Sequence, residues 1–145
     1  MKLSTKGRYG VRLMLDLAAR FGQGPVFLKD IAKRQEISEK YLWQVLSSLK
    51  NAGLINSTRG AHGGYCLARP PAEITLKDII SVLEGNLCLV KCVNNKSFCK
   101  RSDDCIANQV WSELTGKISQ LFASFTLENM LEKQLAEEDS LAYII

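Results

Sequence analysis

The residues of this chain whose type and spacing predict chemistry are its cysteines. Four of the five fall within 18 residues, in the segment Cys88-Leu-Val-Lys-Cys-Val-Asn-Asn-Lys-Ser-Phe-Cys-Lys-Arg-Ser-Asp-Asp-Cys105. A cysteine that only packs a core sits alone on an apolar face, whereas this segment is polar and rich in Lys and Asn. Thiolates select zinc, copper(I) or iron–sulfur clusters, and clusters are held at irregular loop spacings such as these. The segment is therefore predicted to bind a metal and favours a sensor over a catalyst.

Length and composition describe one small folded domain with room for an added helical arm. The chain has 145 residues, of which 46% are hydrophobic, enough for a packed core. Residues 1–8 lack the apolar stretch of a secretion signal, and no apolar run approaches the ~18 residues of a membrane span. We therefore expect a cytoplasmic protein that does not contact a membrane. Reduced thiols and an odd number of cysteines favour metal binding over a disulfide framework.

Positive charge is concentrated in the first part of the chain. Residues 1–60 contain 11 Lys and Arg against 4 Asp and Glu, a net charge of +7, and residues 61–145 contain 8 against 11, a net charge of −3. A basic half suits a polyanion such as DNA. A solvated surface with scattered lysines explains the charge alone equally well, so the assignment depends on the motifs.

Apolar spacing predicts a mainly α fold with a small β-hairpin. Apolar residues recur with the period of an amphipathic helix in six segments, namely 5–21, 29–34, 39–50, 76–84, 104–125 and 127–135. Ser38 and Thr75 are good helix N-caps, and Thr75 with Asp78 resembles a capping box. Strands are expected on either side of a glycine-rich turn, at 54–58 and 65–67.

Two short helices joined by a tight turn, followed by a hairpin, form a winged helix-turn-helix. In this fold the second helix enters the DNA major groove and its N-terminal residues meet the base edges. Gln44 suits a bidentate contact to adenine, and Arg59 on a glycine-rich hairpin suits a narrow minor groove. The predicted DNA-binding residues are Ser38, Lys40, Tyr41, Gln44, Arg59 and Gly60. The alternative is a generic helical core with a surface hairpin, because short helix-turn-helix patterns are common.

Several motifs together resemble one known family. They are Met1-Lys-Leu-Ser-Thr-Lys-Gly-Arg-Tyr-Gly-Val-Arg-Leu-Met-Leu-Asp-Leu-Ala18, Ile37-Ser-Glu-Lys-Tyr-Leu42, Arg59-Gly-Ala-His-Gly-Gly-Tyr65 and Leu67-Ala-Arg69. They closely resemble the Rrf-two family of winged-helix regulators, nearest to the IscR-type iron–sulfur cluster regulators. The resemblance covers nearly the whole chain. It implies a homodimeric transcription factor that binds a 2Fe–2S cluster, recognises a palindromic operator in double-stranded DNA and controls iron–sulfur cluster assembly genes.

Carried over position by position, the resemblance assigns the cluster ligands to Cys92, Cys99 and Cys105. It also places the recognition helix at 38–49, the minor-groove arginine at Arg59 and a long dimerisation helix at 105–125. The expected organisation is a winged helix-turn-helix at 1–85, a cluster-binding loop at 86–105, a dimerisation helix with a short C-terminal helix at 106–135, and an acidic tail at 136–145.

The chain departs from the family pattern at two positions. Asn108 stands where well-known relatives have a histidine as the fourth cluster ligand, and asparagine is a poor iron ligand. The fourth bond is open to Cys88, to a residue of the N-terminal helix, or to a carboxylate among Asp103, Asp104 and Glu113. Trp43 occupies a recognition-helix position that is acidic in some relatives. The acidic side chain that discriminates between operator classes in those relatives is therefore absent here.

Other functions remain open at this point. The same cysteines would serve a regulator that responds to nitric oxide or redox state, or a DNA-binding module in which Cys88 joins them to hold structural zinc. Zinc sites usually contain close cysteine pairs, which this chain lacks. An enzyme with a small-molecule substrate is not expected, because there is one histidine, His62, no nucleophile–base constellation and no phosphate loop.

Overall fold

Each helix of the fold covers a segment whose apolar residues have helical spacing and whose ends carry residues that start or stop a helix. The computed structural model describes residues 1–144 of the chain. The helices are α1 Thr5–Ala19, α2 Leu28–Gln35, α3 Glu39–Asn51, α4 Leu76–Glu84, α5 Lys91–Asn94, α6 Ile106–Ser124 and α7 Leu127–Ile144. The strands are β1 Ile55–Thr58 and β2 Gly64–Leu67, and short 3₁₀ turns lie at Pro71–Glu73 and Lys96–Phe98. The predicted mainly helical fold with one hairpin is confirmed.

The hydrophobic core lies between α1, α3 and α4. Leu13 and Leu17 of α1 meet Leu42 and Leu49 of α3, and all four are at most 1% exposed. Ile79 of α4 is also fully buried in this cluster. Burying a leucine is worth about 1.5–3 kcal/mol relative to leaving it in water, so these contacts are a main source of stability.

The turn between α2 and α3 is tight because Glu36 adopts a left-handed conformation. Its φ is 55°, and no other non-glycine residue in the described part of the chain has a positive φ. The Ile37 N–H donates to the Ala32 carbonyl, which closes the end of α2. Ser38 then starts α3, since its hydroxyl accepts a hydrogen bond from the Tyr41 N–H. The two helices form the predicted helix-turn-helix pair.

The hairpin forms the wing beside this pair. Its antiparallel register pairs Ile55 with Leu67, Asn56 with Cys66, Ser57 with Tyr65 and Thr58 with Gly64. Val26 extends the hairpin, because Val26 and Tyr65 exchange two backbone hydrogen bonds of 2.8 Å. A Cβ at Gly64 would lie 2.5 Å from the Val26 carbonyl oxygen, so only glycine permits this approach.

The C-terminal helices are tied to the winged helix at the start of α4. The Leu76 N–H donates to the Phe125 carbonyl at 2.8 Å, and the Leu127 N–H donates to the Ile74 carbonyl at 3.0 Å. Leu127 is fully buried, and α7 then runs back against α1. The predicted capping box of Thr75 is present, with both of its hydrogen bonds to Asp78 formed.

The C-terminal boundary differs from the sequence prediction. α7 continues to Ile144, whereas the apolar pattern predicts a short helix that ends near Leu135 and an acidic tail at 136–145, of which residue 145 lies outside the described part. Alanine and glutamate are good helix formers, so the acidic run extends the helix. The cysteine loop is also more ordered than expected, since it contains α5 and a 3₁₀ turn. None of the described helices is long and apolar enough to cross a membrane.

A buried carboxylate joins α1 to α2. The side chain of Asp16 is 1% exposed and accepts two hydrogen bonds from Arg34, at 3.0 and 2.8 Å, and one from Gln35 at 2.9 Å. Burial raises the pKa of Asp16, but the hydrogen bonds from Arg34 and Gln35 and the charges of Arg20 and Arg34 outweigh it. The pKa therefore lies below the usual value of 3.8.

Asp16→Asn should lower the free energy of unfolding by on the order of 2 kcal/mol, because hydrogen bonds to a charged group are worth about 1.5–3 kcal/mol each. A carboxylate with a lowered pKa stabilises fully above its usual pKa and loses its effect as the pH falls through the folded value. In urea titrations the difference between parent and variant should therefore stay constant from neutral pH down to about pH 4 and shrink only as the pH falls further. Asp139→Asn, on an exposed position of α7, is the control. Equal stability of parent and Asp16→Asn near neutral pH would contradict this role.

Candidate functional site

The solvent face of α3 carries the polar side chains expected of a recognition helix. Lys40, Trp43 and Gln44 are exposed, and the last two follow Lys40 by three and four residues, which places them on one face of the helix. Ser38 is exposed at the N-terminus, where its oxygen accepts the capping hydrogen bond and its proton is free to be donated. The helix N-terminus and these side chains together suit phosphate and base edges.

Tyr41 has a structural contact as well as a position on this face. It is half-buried, and its ring meets the Tyr9 ring edge-to-face with centroids 5.7 Å apart. The Arg12 guanidinium lies 5.4 Å from the Tyr9 ring centroid. Replacement of Tyr41 would therefore disturb the α1–α3 contact in addition to any DNA contact.

A groove between α1 and α3 brings a residue of α1 to the recognition helix. It has a volume of about 220 Å³ and is lined by Lys6, Tyr41, Gln44, Val45 and Ser48. Lys6 thus lies beside two of the predicted DNA-binding residues. The basic charge of the first part of the chain predicts that Lys6, Arg8, Lys40 and Arg59 lie toward one DNA-facing side, and the packing of α1 on α3 places Lys6 beside the recognition helix.

Trp43 is the most unusual residue on the recognition face. Its side chain is 57% exposed, although a tryptophan gains much from burial. The sequence marks it only as a departure from the acidic residue of some relatives. In the structure it lies between Lys40 and Gln44 along the exposed face, where an indole suits apolar contact with a thymine methyl group.

The wing tip presents Arg59 on a turn that glycine residues shape. Arg59 and Gly60 are exposed, and Gly60 has a φ of 108°. The Gly63 N–H donates to the Gly60 carbonyl at 3.0 Å, and a Cβ at Gly63 would lie 2.2 Å from the Thr58 carbonyl oxygen. The compact turn leaves the Arg59 side chain exposed, a position compatible with the predicted contact to a DNA groove.

The cysteines of the loop lie at different depths. Cys88, Cys92 and Cys105 are half-buried, and Cys99 is exposed. Cys105 immediately precedes α6, and Cys92 lies on α5. Within residues 1–144, no three side chains of Cys, His, Asp or Glu lie close enough to hold a metal ion. The structure therefore does not bring Cys92, Cys99 and Cys105 together. The fifth cysteine, Cys66, is half-buried on β2.

Two hydrogen bonds attach the first part of this loop to α6. The Asn108 amide donates to the Cys92 carbonyl at 3.2 Å, and the Leu89 N–H donates to the Thr115 hydroxyl at 3.4 Å. Asn108, in the place of the family histidine, is therefore a structural tie in this conformation. The donor chemistry suits an iron–sulfur cluster, since three thiols stand on one loop, but binding requires these thiols to come closer together than they lie here.

α6 exposes most of its apolar stripe. Among its described side chains none is buried, and Ile106, Val110, Leu114 and Leu121 are 71%, 45%, 40% and 60% exposed. Ile118 and Phe125, also in the predicted stripe, are half-buried. Continuous apolar exposure of this kind on a helix marks an interaction surface.

These features define the class of protein as a winged-helix transcription regulator. Residues 3–133 match the family model Rrf2, described as an iron-dependent transcriptional regulator. The chain belongs to the Rrf2 family. Its relatives are named as regulators, so it is a DNA-binding transcription regulator and not an enzyme.

Both CymR and IscR proteins occur among the relatives. The chain is 40% identical over 145 residues to the transcriptional regulator CymR of Bacillus subtilis, covering all of both chains. It is 38% identical over 134 residues to IscR of Xenorhabdus nematophila, covering 92% of this chain and 81% of the relative. The solved structure of B. subtilis CymR, titled the global cysteine regulator, matches with a TM-score of 0.77 over 92% of this chain and 98% of that one. The structure of T. potens IscR matches with 45% identity and a TM-score of 0.75 over 92% of this chain and 88% of that one.

Arg59→Ala should weaken binding to the cognate operator by about 1–3 kcal/mol if the arginine enters the minor groove. Its effect should exceed that of Lys117→Ala, which removes one positive charge from an exposed position on α6. Fluorescence anisotropy with the same DNA fragment at several salt concentrations measures both. Loss of equal size in the two variants would remove Arg59 from the binding site and leave only a general charge effect.

Proposed function

We propose that this protein is a homodimeric transcription regulator that senses iron–sulfur cluster status through a 2Fe–2S cluster and controls iron–sulfur cluster assembly genes. Cys92, Cys99 and Cys105 would hold the cluster. The observation that carries the proposal is the polar loop with its thiols, placed between the winged helix and the exposed helix α6. The match to IscR proteins over most of the chain supports the same reading.

The construction of the loop suits reversible ligand binding. Its first part is fixed to α6 through Asn108 and Thr115, whereas Cys99 is exposed and follows a 3₁₀ turn. Ser102 is 8% exposed and donates a hydrogen bond of 2.7 Å to the Cys99 carbonyl. The Cys99 thiol is therefore open to solvent while its backbone is held by a local hydrogen bond. When bound, the cluster supplies a group whose presence depends on iron and oxidant levels.

The fourth ligand is best sought among residues already near the loop. Cys88 is half-buried and begins the segment, and its N–H donates to the Asn86 side chain at 3.1 Å. Asp103 and Asp104 are exposed between Ser102 and Cys105. A weaker fourth ligand makes a cluster easier to lose, which suits a sensor.

The exposed stripe of α6 supports assembly into a two-fold dimer. Leu114 lies near the middle of α6, and Val110 lies one turn before it. A second copy of α6 would cover both, and two recognition helices related by a two-fold axis would meet a palindromic operator. The cysteine loop leads into α6. In the proposed dimer, a change in the loop would therefore move α6 and alter the spacing between the two recognition helices.

Protein purified without oxygen should be red-brown and contain iron and sulfide. A variant with Cys92→Ala, Cys99→Ala and Cys105→Ala should be colourless yet folded, because the winged helix has its own core. Its affinity for cluster-dependent operators should change by about 5- to 150-fold, the usual size of allosteric coupling. Cys66→Ala is the matched control, since this thiol lies on the wing.

Three outcomes of that experiment contradict the proposal. Zinc in a colourless parent would indicate a structural module. If the parent contains the cluster, but the parent and the triple variant bind the same DNA sequences with equal affinity, the metal does not regulate DNA binding. Cluster that is stable to iron limitation but lost on exposure to nitric oxide alone would identify a nitric-oxide sensor.

Leu114→Glu should weaken the dimer by on the order of 3 kcal/mol, because it buries an unpaired charge at the contact. Ser112→Glu introduces the same residue at an exposed position on the other side of α6, two residues before Leu114, and serves as the control. Sedimentation equilibrium over a range of concentrations measures both. A parent that is monomeric at micromolar concentration, or an equal effect of the two variants, would contradict the α6 interface.

A further inference from the structure

The last residue of α4 reaches across to the beginning of α1. The Glu84 carboxylate accepts a hydrogen bond from the Ser4 N–H at 2.8 Å and a second one from the Ser4 hydroxyl. Ser4 is the N-cap of α1 and accepts a hydrogen bond from the Gly7 N–H. The two residues lie 80 positions apart in the chain, so the contact is purely tertiary.

The position of Glu84 is unfavourable for α4 and favourable for α1. A carboxylate at a helix C-terminus opposes the helix dipole, whereas one at a helix N-terminus is stabilised by it. The first turn of α1 contains no acidic residue, and Glu84 supplies the missing negative charge from another helix. The hydrogen bond from the Ser4 side chain lowers the pKa of Glu84 below its usual value, as a carboxylate held in its charged form requires.

Glycine residues allow the close approach on which this contact depends. A Cβ at Gly7 would lie 2.3 Å from Oε1 of Glu84, and a Cβ at Gly10 would lie 2.0 Å from Cδ1 of Leu83. The same Cβ at Gly10 would lie 3.3 Å from Cγ1 of Val45, on the recognition helix. The N-terminal half of α1 is thus held between α4 and α3.

The contact has the DNA face on one side and the cysteine loop on the other. Lys6 lies one residue before Gly7 and lines the groove with Tyr41 and Gln44. Gly85 follows Glu84 directly, with a φ of 80°, and leads into the segment that contains the cysteines. A movement of the loop would therefore act first on the residue that holds the start of α1.

We propose that Glu84 is a positioning residue for DNA binding: it holds the first turn of α1 so that Lys6 faces DNA beside the recognition helix, and it transmits the state of the cysteine loop to that face. Only the transmission rests on the proposed function. The positioning holds for the protein with or without metal.

The direction in which one substitution changes the affinity for DNA distinguishes this proposal from a simple charge effect. Removing a carboxylate from a DNA-binding protein ordinarily strengthens binding, because DNA is a polyanion. Glu84→Gln should instead weaken operator binding by the metal-free protein about three- to tenfold, the contribution of one net hydrogen bond. Ser4→Ala removes no charge and should produce a loss of similar size. Glu128→Gln, at an exposed position in the first turn of α7, should leave affinity unchanged or raise it.

A double-mutant cycle tests whether Glu84 acts through Lys6. Lys6→Ala should reduce the slope of log affinity against log salt by about 0.9, as the loss of one phosphate contact does. Glu84→Gln combined with Lys6→Ala should bind no more weakly than Lys6→Ala alone. Losses that add fully, or a Glu84→Gln variant that binds as well as or better than the parent, would overturn the positioning role. Circular dichroism of each variant confirms that the helices are retained.

Comparison of metal-loaded and metal-free protein tests the transmission. The ratio of their operator affinities should fall toward one in Glu84→Gln and remain as in the parent in Glu128→Gln. An unchanged ratio in Glu84→Gln would show that the loop reaches DNA by another route. A parent that binds no cluster would contradict the proposed function, while the metal-free measurements would still decide the positioning role.

Discussion

The packing of α1 between α3 and α4 is the constraint on which the rest of the structure depends. Gly7 and Gly10 let α1 lie close to α4, because a Cβ at either position would displace the side chain of Glu84 or Leu83, and Gly10 also faces Val45 of α3. Leu13 and Leu17 continue the same helix into the centre of the core. Because α3 presents the recognition face and α4 leads into the cysteine loop, α1 is the common support of both, and α7 also packs on it.

In this fold, the solvent exposure of a side chain distinguishes the candidate functional residues from the structural ones. Lys40, Gln44 and Arg59 are exposed and need no partner within the fold, as DNA-binding side chains should be. Tyr41 differs, since its ring also packs on Tyr9. Asn108 also has a contact within the fold, because its side-chain amide donates a hydrogen bond to the Cys92 carbonyl and so supports the loop.

The local parts of the fold could be predicted from the sequence because their signals lie close together in the chain. Ser38 before an apolar period predicts the start of α3, and Thr75 with Asp78 predicts the start of α4. The extension of α7 through the acidic run differs from the predicted acidic tail, because alanine and glutamate are good helix formers. The contact of Glu84 with Ser4 has no local signal. The path of the cysteine loop was not predictable either, since the thiol pattern indicates metal chemistry but carries no information on which thiols are close before metal binds.

In the proposed mechanism, the DNA face and the cysteine loop are connected through the start of α1. Amide hydrogen exchange by the same protein, prepared without oxygen with and without its metal, tests this connection most directly. Loading should slow exchange in residues 86–105 and also in the first turn of α1, around Gly7, although that turn contains no cysteine. Slower exchange confined to residues 86–105, with the first turn of α1 unchanged, would contradict the connection.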